Sequence, residues 1–561
     1  MKTKIICLLV ALVAMVSVLA SCDGNGGEGV GENNGNGEIV YDYTWNETKI
    51  TAELNMDDNS EELSSGTQRY YAGEDLTQTA DIDKSIYQRN KDAEAAAGVK
   101  VTYTYLEDDM GYVWGKNVDK IQLKVKSGDT DAPDIYCNFA YDMTCAALRG
   151  CFANLLKEDY KNGNYFLFTD DDYDATSDNF SDAEAGKGYF YQYMESLSLD
   201  PDNKIYCLAS NYCTDMVRSF LVVPVNVTMM NGIDQNEASK IVGGDRNNDN
   251  VIDVLDFYEY VWEGNWTYET LAAYSGLVYQ NANSNPGADI GDTLGFCLAT
   301  TDAGLVASGV LYTSSVKIIT QDETGKYIYG ETNSDLNKFV TALKNLMEQR
   351  GVATASKSDF TSNLGYTPAT TLVGIRERFA QNKLLFGGII AVGSLEDEIY
   401  QEMRSGLGFG VVPVPVYQEN DEYLTLVHNV ARIVGISYTS TNFSQCSAFL
   451  DYVSRTSADI LDQYYNSELT AKTGGVAGEN NALMLTYIRN HVRDCFDKSC
   501  EDMIANNMAT AGDTKADDYR WHDIIWDRGY KIDDFTSMYL SLYAKKQGEL
   551  DKIVKQWNEL D

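Results

Sequence analysis

Asp245, Asn247, Asp249, Val251, Asp253 and Asp256 stand at the spacing of an EF-hand-like loop. Side-chain oxygens at that spacing, together with the Val251 backbone carbonyl, converge on Ca2+. Asn250 takes the place usually held by Gly, and Asn tolerates the left-handed backbone needed there. The alternative is an acidic, Asn-rich turn leading into a capped helix at 253–262. A bound ion would be structural, stiffening an insertion at 236–256, because no substrate chemistry follows from it. Histidine is scarce: His428, His491 and His522 are the whole set, and none belongs to an HExxH pairing. No GxSxG or P-loop occurs. A chain with 84 acidic residues always offers carboxylate pairs, so pairs alone do not mark a glycosidase. The residues point to binding rather than catalysis, with no catalytic cofactor.

The N-terminus carries a different chemistry. Lys2 and Lys4 precede an apolar stretch at 5–18, and small residues end it in Leu19-Ala20-Ser21-Cys22. That order matches a secretory signal peptide, residues 1–21. The apolar run is shorter than the ~20 residues a membrane-spanning helix needs. Leu-Ala-Ser-Cys resembles the lipobox of bacterial lipoproteins, which implies acylation of Cys22 and attachment to the cell membrane. Residues 23–38 are Gly, Asn and Glu with almost no apolar side chain, so 22–44 is expected to be anchor and flexible tether. Everything beyond is expected outside the cytoplasm.

A net charge of −40 repels phosphate backbones, which excludes nucleic acid as a partner. Nine cysteines follow Cys22, an odd number that forbids complete internal pairing. Cys207–Cys213 and Cys495–Cys500 are spaced for local disulfides in an oxidising exterior. Small buried thiols are the equal alternative.

The elements that must position these residues alternate between helix and strand. Residues 81–98 follow a helical period closed by Gly98, and 99–106 (VKVTYTYL) have strand composition. Residues 335–350 place Leu336, Phe339, Val340, Leu343 and Met347 on one helical face, with Ser334 as N-cap and Gly351 beyond. Residues 384–392 and 409–416 are expected to be buried strands, and 444–465 one long helix. Alternation of this kind predicts an α/β fold with largely parallel sheets.

Five segments, in order, resemble the sugar-binding type of extracellular solute-binding proteins of bacterial ABC importers (family 1). They are 81–103, with Arg89-Asn90; 125–155, VKSGDTDAPDIY and onward; Asn265-Trp266-Thr267-Tyr268 after DFYEYVWEG; 379–415, ending GFGVVPVP; and Asp462-Gln463-Tyr464-Tyr465. The insertion at 236–250 and the segment after about 505 depart from that pattern. The resemblance implies a two-lobed periplasmic-binding-protein-like (type II) fold with a hinge and an interlobe cleft. It implies an N-lobe at 45–212, a C-lobe at 213–408, a return to the N-lobe at 409–475, and a C-terminal helical segment, 476–561, on the C-lobe. Crossings are expected near 206–216 and 406–416. It further implies a monomer that delivers a sugar or oligosaccharide to ABC permease subunits. A peptide ligand, or a surface glycan-binding lipoprotein of another transport system, is the alternative. The Asp at position 12 of the 245–256 loop is similar to that of dockerin loops, but dockerins carry two such loops and this chain has one.

Open α/β sheets bind ligands beyond the carboxyl ends of their strands. Loops after predicted strands therefore supply the cleft candidates. Glu74, Asn138 and Asp302 are the expected hydrogen-bonding groups. Tyr141, Trp266 and Tyr268 are the expected stacking groups, each offering a flat face and a polar edge.

Overall fold

In the computed structural model, residues 32–33, 39–55, 81–106, 115–128, 132–166, 168, 188–300, 303–330, 333–397, 399–400, 403, 408–419, 421–428, 430–469, 478–492, 496–510 and 520–560 are described. Cys22, Glu74 and Asp302 lie outside the described residues.

β1 (Thr48–Asn55) runs parallel to β2 (Val99–Leu106) along its whole length, joined to it through α1 (Asp81–Ala97). The predicted stop at Gly98 holds: its φ is +62°, and a Cβ there would stand 2.6 Å from the Tyr43 ring. Burial in β2 alternates over its first residues, as expected of a strand with one face in water. α2 (Lys116–Lys126) leads to β3 (Ile135–Phe139), which is parallel to β1 and buried at every position. α3 (Ala140–Leu148) follows at once, and α4 (Tyr191–Ser196) comes later in the same lobe.

The chain then enters a second sheet at β4 (Leu221–Asn226). α5 (Gln235–Val242), α6 (Val254–Trp262) and α7 (Tyr268–Val278) precede β5 (Leu294–Ala299). α8 (Ala303–Tyr312) leads into a small antiparallel hairpin, β6 (Ile319–Gln321) and β7 (Tyr327–Tyr329). α9 (Ser334–Met347) is capped by Asn333, whose side chain accepts from Leu336 N, one residue before the predicted cap. β8 (Val352–Ala355), β9 (Leu384–Phe386), β10 (Ile390–Ala391) and β11 (Phe409–Pro413) complete the sheet in the order β8-β5-β9-β4-β10, with β11 also on β4. The predicted strand at 384–392 is broken at Gly387-Gly388, where φ of Gly388 is +80°.

β12 (Arg432–Ile436) returns to the first sheet, antiparallel to β3, giving β12-β3-β1-β2. Two sheets, two lobes and α/β architecture are therefore as expected. The sheets are mixed rather than largely parallel, because β4, β11 and β12 flank the crossings and run against their neighbours. α10 (Phe443–Arg455) ends earlier than predicted. The Arg89 guanidinium enters at that break, donating to Ser457 Oγ (2.8 Å) and Tyr212 O (3.2 Å). α11 (Gly478–Asn490) goes back to the C-lobe, where Asn481 bonds both ways to the β11 backbone.

Residues 208–221 lie antiparallel to 426–434 where the chain crosses: Val434 N donates to Leu208 O, and His428 N to Ser219 O. The first crossing is close to the predicted place. The second is not at 406–416, because β11 pairs with β4 inside the C-lobe and the chain returns only at 426–432. Asp215 accepts from Arg218 (2.8 Å) and Arg432 (2.5 Å), and Arg218 also clamps Glu396 with two bonds (2.8 and 3.1 Å). Arg218, Arg432 and Asp215 are almost wholly buried, and Arg432 stacks on the Phe139 ring at the end of β3. Buried charges persist only when paired and hydrogen-bonded, so this cluster fixes the crossing.

α12 (Phe496–Thr510), α13 (Trp521–Asp527) and α14 (Phe535–Asn558) do not keep to the C-lobe. Gln547 bonds Tyr329 N on the C-lobe hairpin, while Lys204 of the N-lobe donates to Trp557 O and Leu560 O at the far end of α14. The segment spans both lobes. Eight cysteines in the described residues are buried free thiols. Cys213 faces Cys137 at 3.4 Å rather than Cys207. Cys495 lies outside the described residues, so its predicted pairing with Cys500 does too. Among the described residues no helix is long and apolar enough to cross a membrane.

Candidate functional site

Asn138 and Tyr141 stand at the end of β3 and in the first turn of α3. Asn138 is buried, and its Oδ1 accepts from Phe139 N (2.7 Å) and Asn117 Nδ2 (3.3 Å). Asp142 accepts from Gly115 N (2.9 Å) and from Asn117 Nδ2 (3.4 Å). The two side chains thus tie the strand end to the start of α2. Both are buried, and Asn138 is not turned out as a ligand donor. Tyr141 is buried as well. Burial pushes its hydroxyl up, with Cys145 and Asp502 acting the same way and Arg520 opposing. Asp502 and Arg520 belong to the C-terminal segment, so Tyr141 faces that segment instead of offering an open ring. Arg149, at the end of α3, donates to Asn506 Oδ1 (2.7 Å) on α12.

Trp266 and Tyr268 stand in the C-lobe interior. The Trp266 ring is fully buried, 5.1 Å from Phe257 and 5.0 Å from Phe386, and its indole N–H donates to Pro413 O (2.9 Å). Tyr268 begins α7, donates its N–H to Val416 O (2.8 Å), and has its hydroxyl pushed up by burial. Neither presents a face to a ligand. The Asn-Trp-Thr-Tyr stretch instead pins α7 to the end of β11, with Thr267 as the N-cap. Trp266 and Tyr268 are therefore core residues rather than stacking groups.

Aromatic and polar groups come together elsewhere between the lobes. A cavity of about 580 Å³ is lined by Gln192, Glu195 and Asp200 from the N-lobe, Gln321 and Tyr327 from the hairpin, and Phe496 from α12. The Tyr327 and Phe496 rings are 5.0 Å apart at 31°, and the Tyr327 hydroxyl donates to Leu199 O (3.1 Å) across the lobes. Burial raises the Tyr327 hydroxyl, so it stays a donor near neutrality. Apolar rings beside carboxylates and amides can hold a molecule with both C–H faces and hydroxyls. None of these residues stands out in the sequence. Tyr327 sits on a three-residue strand, and Phe496 lies in a stretch whose position no local pattern gives.

The acidic loop folds with the backbone its spacing predicts. Asn248 and Asn250 are left-handed, at φ +62° and +71°, and Asp245 accepts from Asp249 N (3.2 Å) and Asn250 N (2.8 Å). Asn247 accepts from Asp249 N, and Asp249 from Val251 N. Asp253 caps α6, and Asp256 closes the capping box while also accepting from Arg246 N (2.5 Å). Burial raises the Asp253 carboxyl, and Asp256 and Asp249 add to the shift. Among the described residues no group of three His, Cys, Asp or Glu side chains is placed to hold a metal. The carboxylates of Asp245, Asp249 and Asp256 are turned to backbone N–H groups.

Burial lowers His428 to about 3, and His522 falls well below its ordinary value for the same reason. His491 bonds Tyr487 O.

No family model and no curated protein matches the chain. Among solved structures it is similar to an ABC substrate-binding protein of Listeria monocytogenes in complex with cycloalternan: 14% identity, 91% of this chain, 100% of that one, TM-score 0.42. The galacto-N-biose/lacto-N-biose I-binding protein of the Bifidobacterium longum ABC transporter, in complex with lacto-N-biose, gives 12%, 92%, 99% and 0.45. An extracellular solute-binding protein of Staphylococcus aureus with maltose gives 14%, 91%, 97% and 0.44. At such identity and TM-score the likeness is no argument about this chain, whose fold stands on its own strand order.

Proposed function

We propose that this protein is an extracytoplasmic receptor that closes its two lobes on a sugar or oligosaccharide and delivers it to an ABC importer. The observation that carries the reading is the cavity with Tyr327 and Phe496 beside Glu195, Asp200, Gln192 and Gln321, where residues 192–202 of the N-lobe meet the hairpin and α12. Hinged lobes closing on a ligand are a known mode of capture. The test is a thermal-shift screen of the purified protein against mono- and oligosaccharides and short peptides. A ligand at a hundred times its Kd stabilises by ~2.7 kcal/mol, which a melting curve resolves. A shift with one sugar class supports the receptor. A shift with peptides alone overturns the carbohydrate assignment.

The finer parts of the reading are acylation at Cys22, delivery to permease subunits, and a Ca2+ held by Asp245, Asn247, Asp249, Val251, Asp253 and Asp256. Support for the ion is the loop backbone, with its left-handed residues and its Asp245 bonds. Ca2+ is expected to raise the melting temperature relative to chelator, and identical melts would remove it. Cys22→Ser is expected to shift the protein from the membrane fraction to the soluble one.

A further inference from the structure

The C-terminal segment, α12–α14, departs from the resemblance after about residue 505, and its first residues reach the cavity. Phe496, the first residue of α12, is one of the two rings there. The next residue, Asp497, accepts from Ile318 N (2.6 Å) and Ile319 N (3.2 Å), at the start of the hairpin that carries the other ring, Tyr327. One turn later Glu501 accepts from Tyr312 (3.0 Å), Tyr329 (3.2 Å) and Trp521 N (2.6 Å), and pairs with Lys546 at 3.0 Å. Glu501 and Lys546 are almost wholly buried, and the Lys546 ammonium lies over the Trp521 and Tyr329 rings at 5.0 and 5.3 Å. Separating such a pair would strand charge in an apolar interior. On the N-lobe side the segment is held by Arg149 to Asn506, by the buried Tyr141 and Cys145 of α3 beside Asp502, by Lys204 to the Trp557 and Leu560 carbonyls, and by the edge of Trp557 on Tyr206. Lys204 keeps partial access to water and can rehydrate when it lets go.

We infer that α12–α14 are a wall of the ligand cavity that travels with the C-lobe: the Glu501–Lys546 cluster bolts the segment to the hairpin, and Phe496 and Tyr327 meet the ligand as one rigid pair. Lobe movement then takes place at the Arg149–Asn506 and Lys204–Leu560 face. The ligand part rests on the receptor reading above; the mechanical part does not.

Two measurements on the full chain test it. In the first, Phe496→Ala is titrated with maltose, maltotriose and lacto-N-biose. A sugar that binds the parent protein should bind this variant at least tenfold more weakly. Equal affinity overturns the wall and leaves the receptor standing. If none of the three binds the parent, the receptor reading loses its support, and the second measurement decides the wall. There, hydrogen exchange is followed in Glu501→Gln, or in Lys546→Met if the first variant does not fold. Residues 496–510 and 319–329 should lose protection together while β3 and β12 keep theirs. Unchanged exchange, or loss at 496–510 with the hairpin unaffected, overturns the inference.

Discussion

At the crossing two arginines and two carboxylates meet, Asp215, Arg218, Arg432 and Glu396, with Arg218 gripping Glu396 through two bonds and the Tyr464 hydroxyl donating to Glu396 as well. In the C-terminal segment one lysine meets one carboxylate, and the remaining lone pairs of Glu501 go to Tyr312, Tyr329 and Trp521 N. Both clusters are buried. Guanidinium stays charged under all ordinary conditions and fixes direction through its planar fork. An ammonium is a point charge, and burial pulls Lys546 below its ordinary value, with Glu501 opposing. The crossing therefore has a directional joint, and the segment has a ball-like anchor padded by rings. The difference suits their places. One sits where two strands must keep their register, the other where helices rest on a hairpin.

The largest effect should come from Arg218→Ala, which leaves Asp215 and Glu396 short of a partner. A loss of about 3–5 kcal/mol is expected, read by denaturant unfolding, with protection falling in both lobes. If only one lobe responds, the crossing is not the shared joint. Trp266→Ala should cost about 3–5 kcal/mol through the cavity it leaves, with ligand affinity unchanged in whatever protein still folds. A selective loss of affinity at parental stability would restore Trp266 as a stacking group. Glu501→Gln should cost less than Arg218→Ala, about 2–3 kcal/mol, because the Gln carbonyl still accepts from neutral donors and the buried Lys546, unlike an arginine, can lose its proton. An equal cost would erase the contrast between the clusters.

Acid sharpens the comparison, since each region holds one buried histidine. His428 lies at the crossing, and His522 bonds the Tyr312 hydroxyl in the segment. Burial keeps both neutral, with Lys498 adding at His428 and Arg520, Lys498 and Lys546 adding at His522. Below about pH 6.5 the unfolded chain takes up protons that the folded chain refuses. Their share of stability therefore falls with pH from about 6.5 toward 3, by up to ~1.4 kcal/mol per unit for each residue. His428→Gln should flatten that slope, as followed by melting from pH 7 to 4. The smallest effect is expected at the exposed Leu123: Leu123→Ser should change stability by less than about 0.5 kcal/mol.

Much of the scaffold was legible. The 99–106 strand, the stop at Gly98 and the α9 face follow from periodicity and from the few residues able to end an element, whereas the first crossing was expected from the resemblance alone. Asn138 and Tyr141 were expected at the cleft because they come at the end of an apolar strand. Their roles were not legible, because a polar side chain after a strand looks the same whether it meets ligand or Asn117. Trp266 failed for a similar reason: Asn-Trp-Thr-Tyr marks a helix start but not which way the ring turns.

Local order in the chain determined where helices and strands begin, the left-handed turns of the acidic loop and the two-sheet alternation, because those rest on sterics and on periods of a few residues. Only the tertiary structure decided that the C-terminal segment straddles the lobes and brings Phe496 to Tyr327. That placement depends on pairs such as Glu501–Tyr312 and Lys204–Leu560, which lie far apart in sequence and become favourable only when burial removes the water between them.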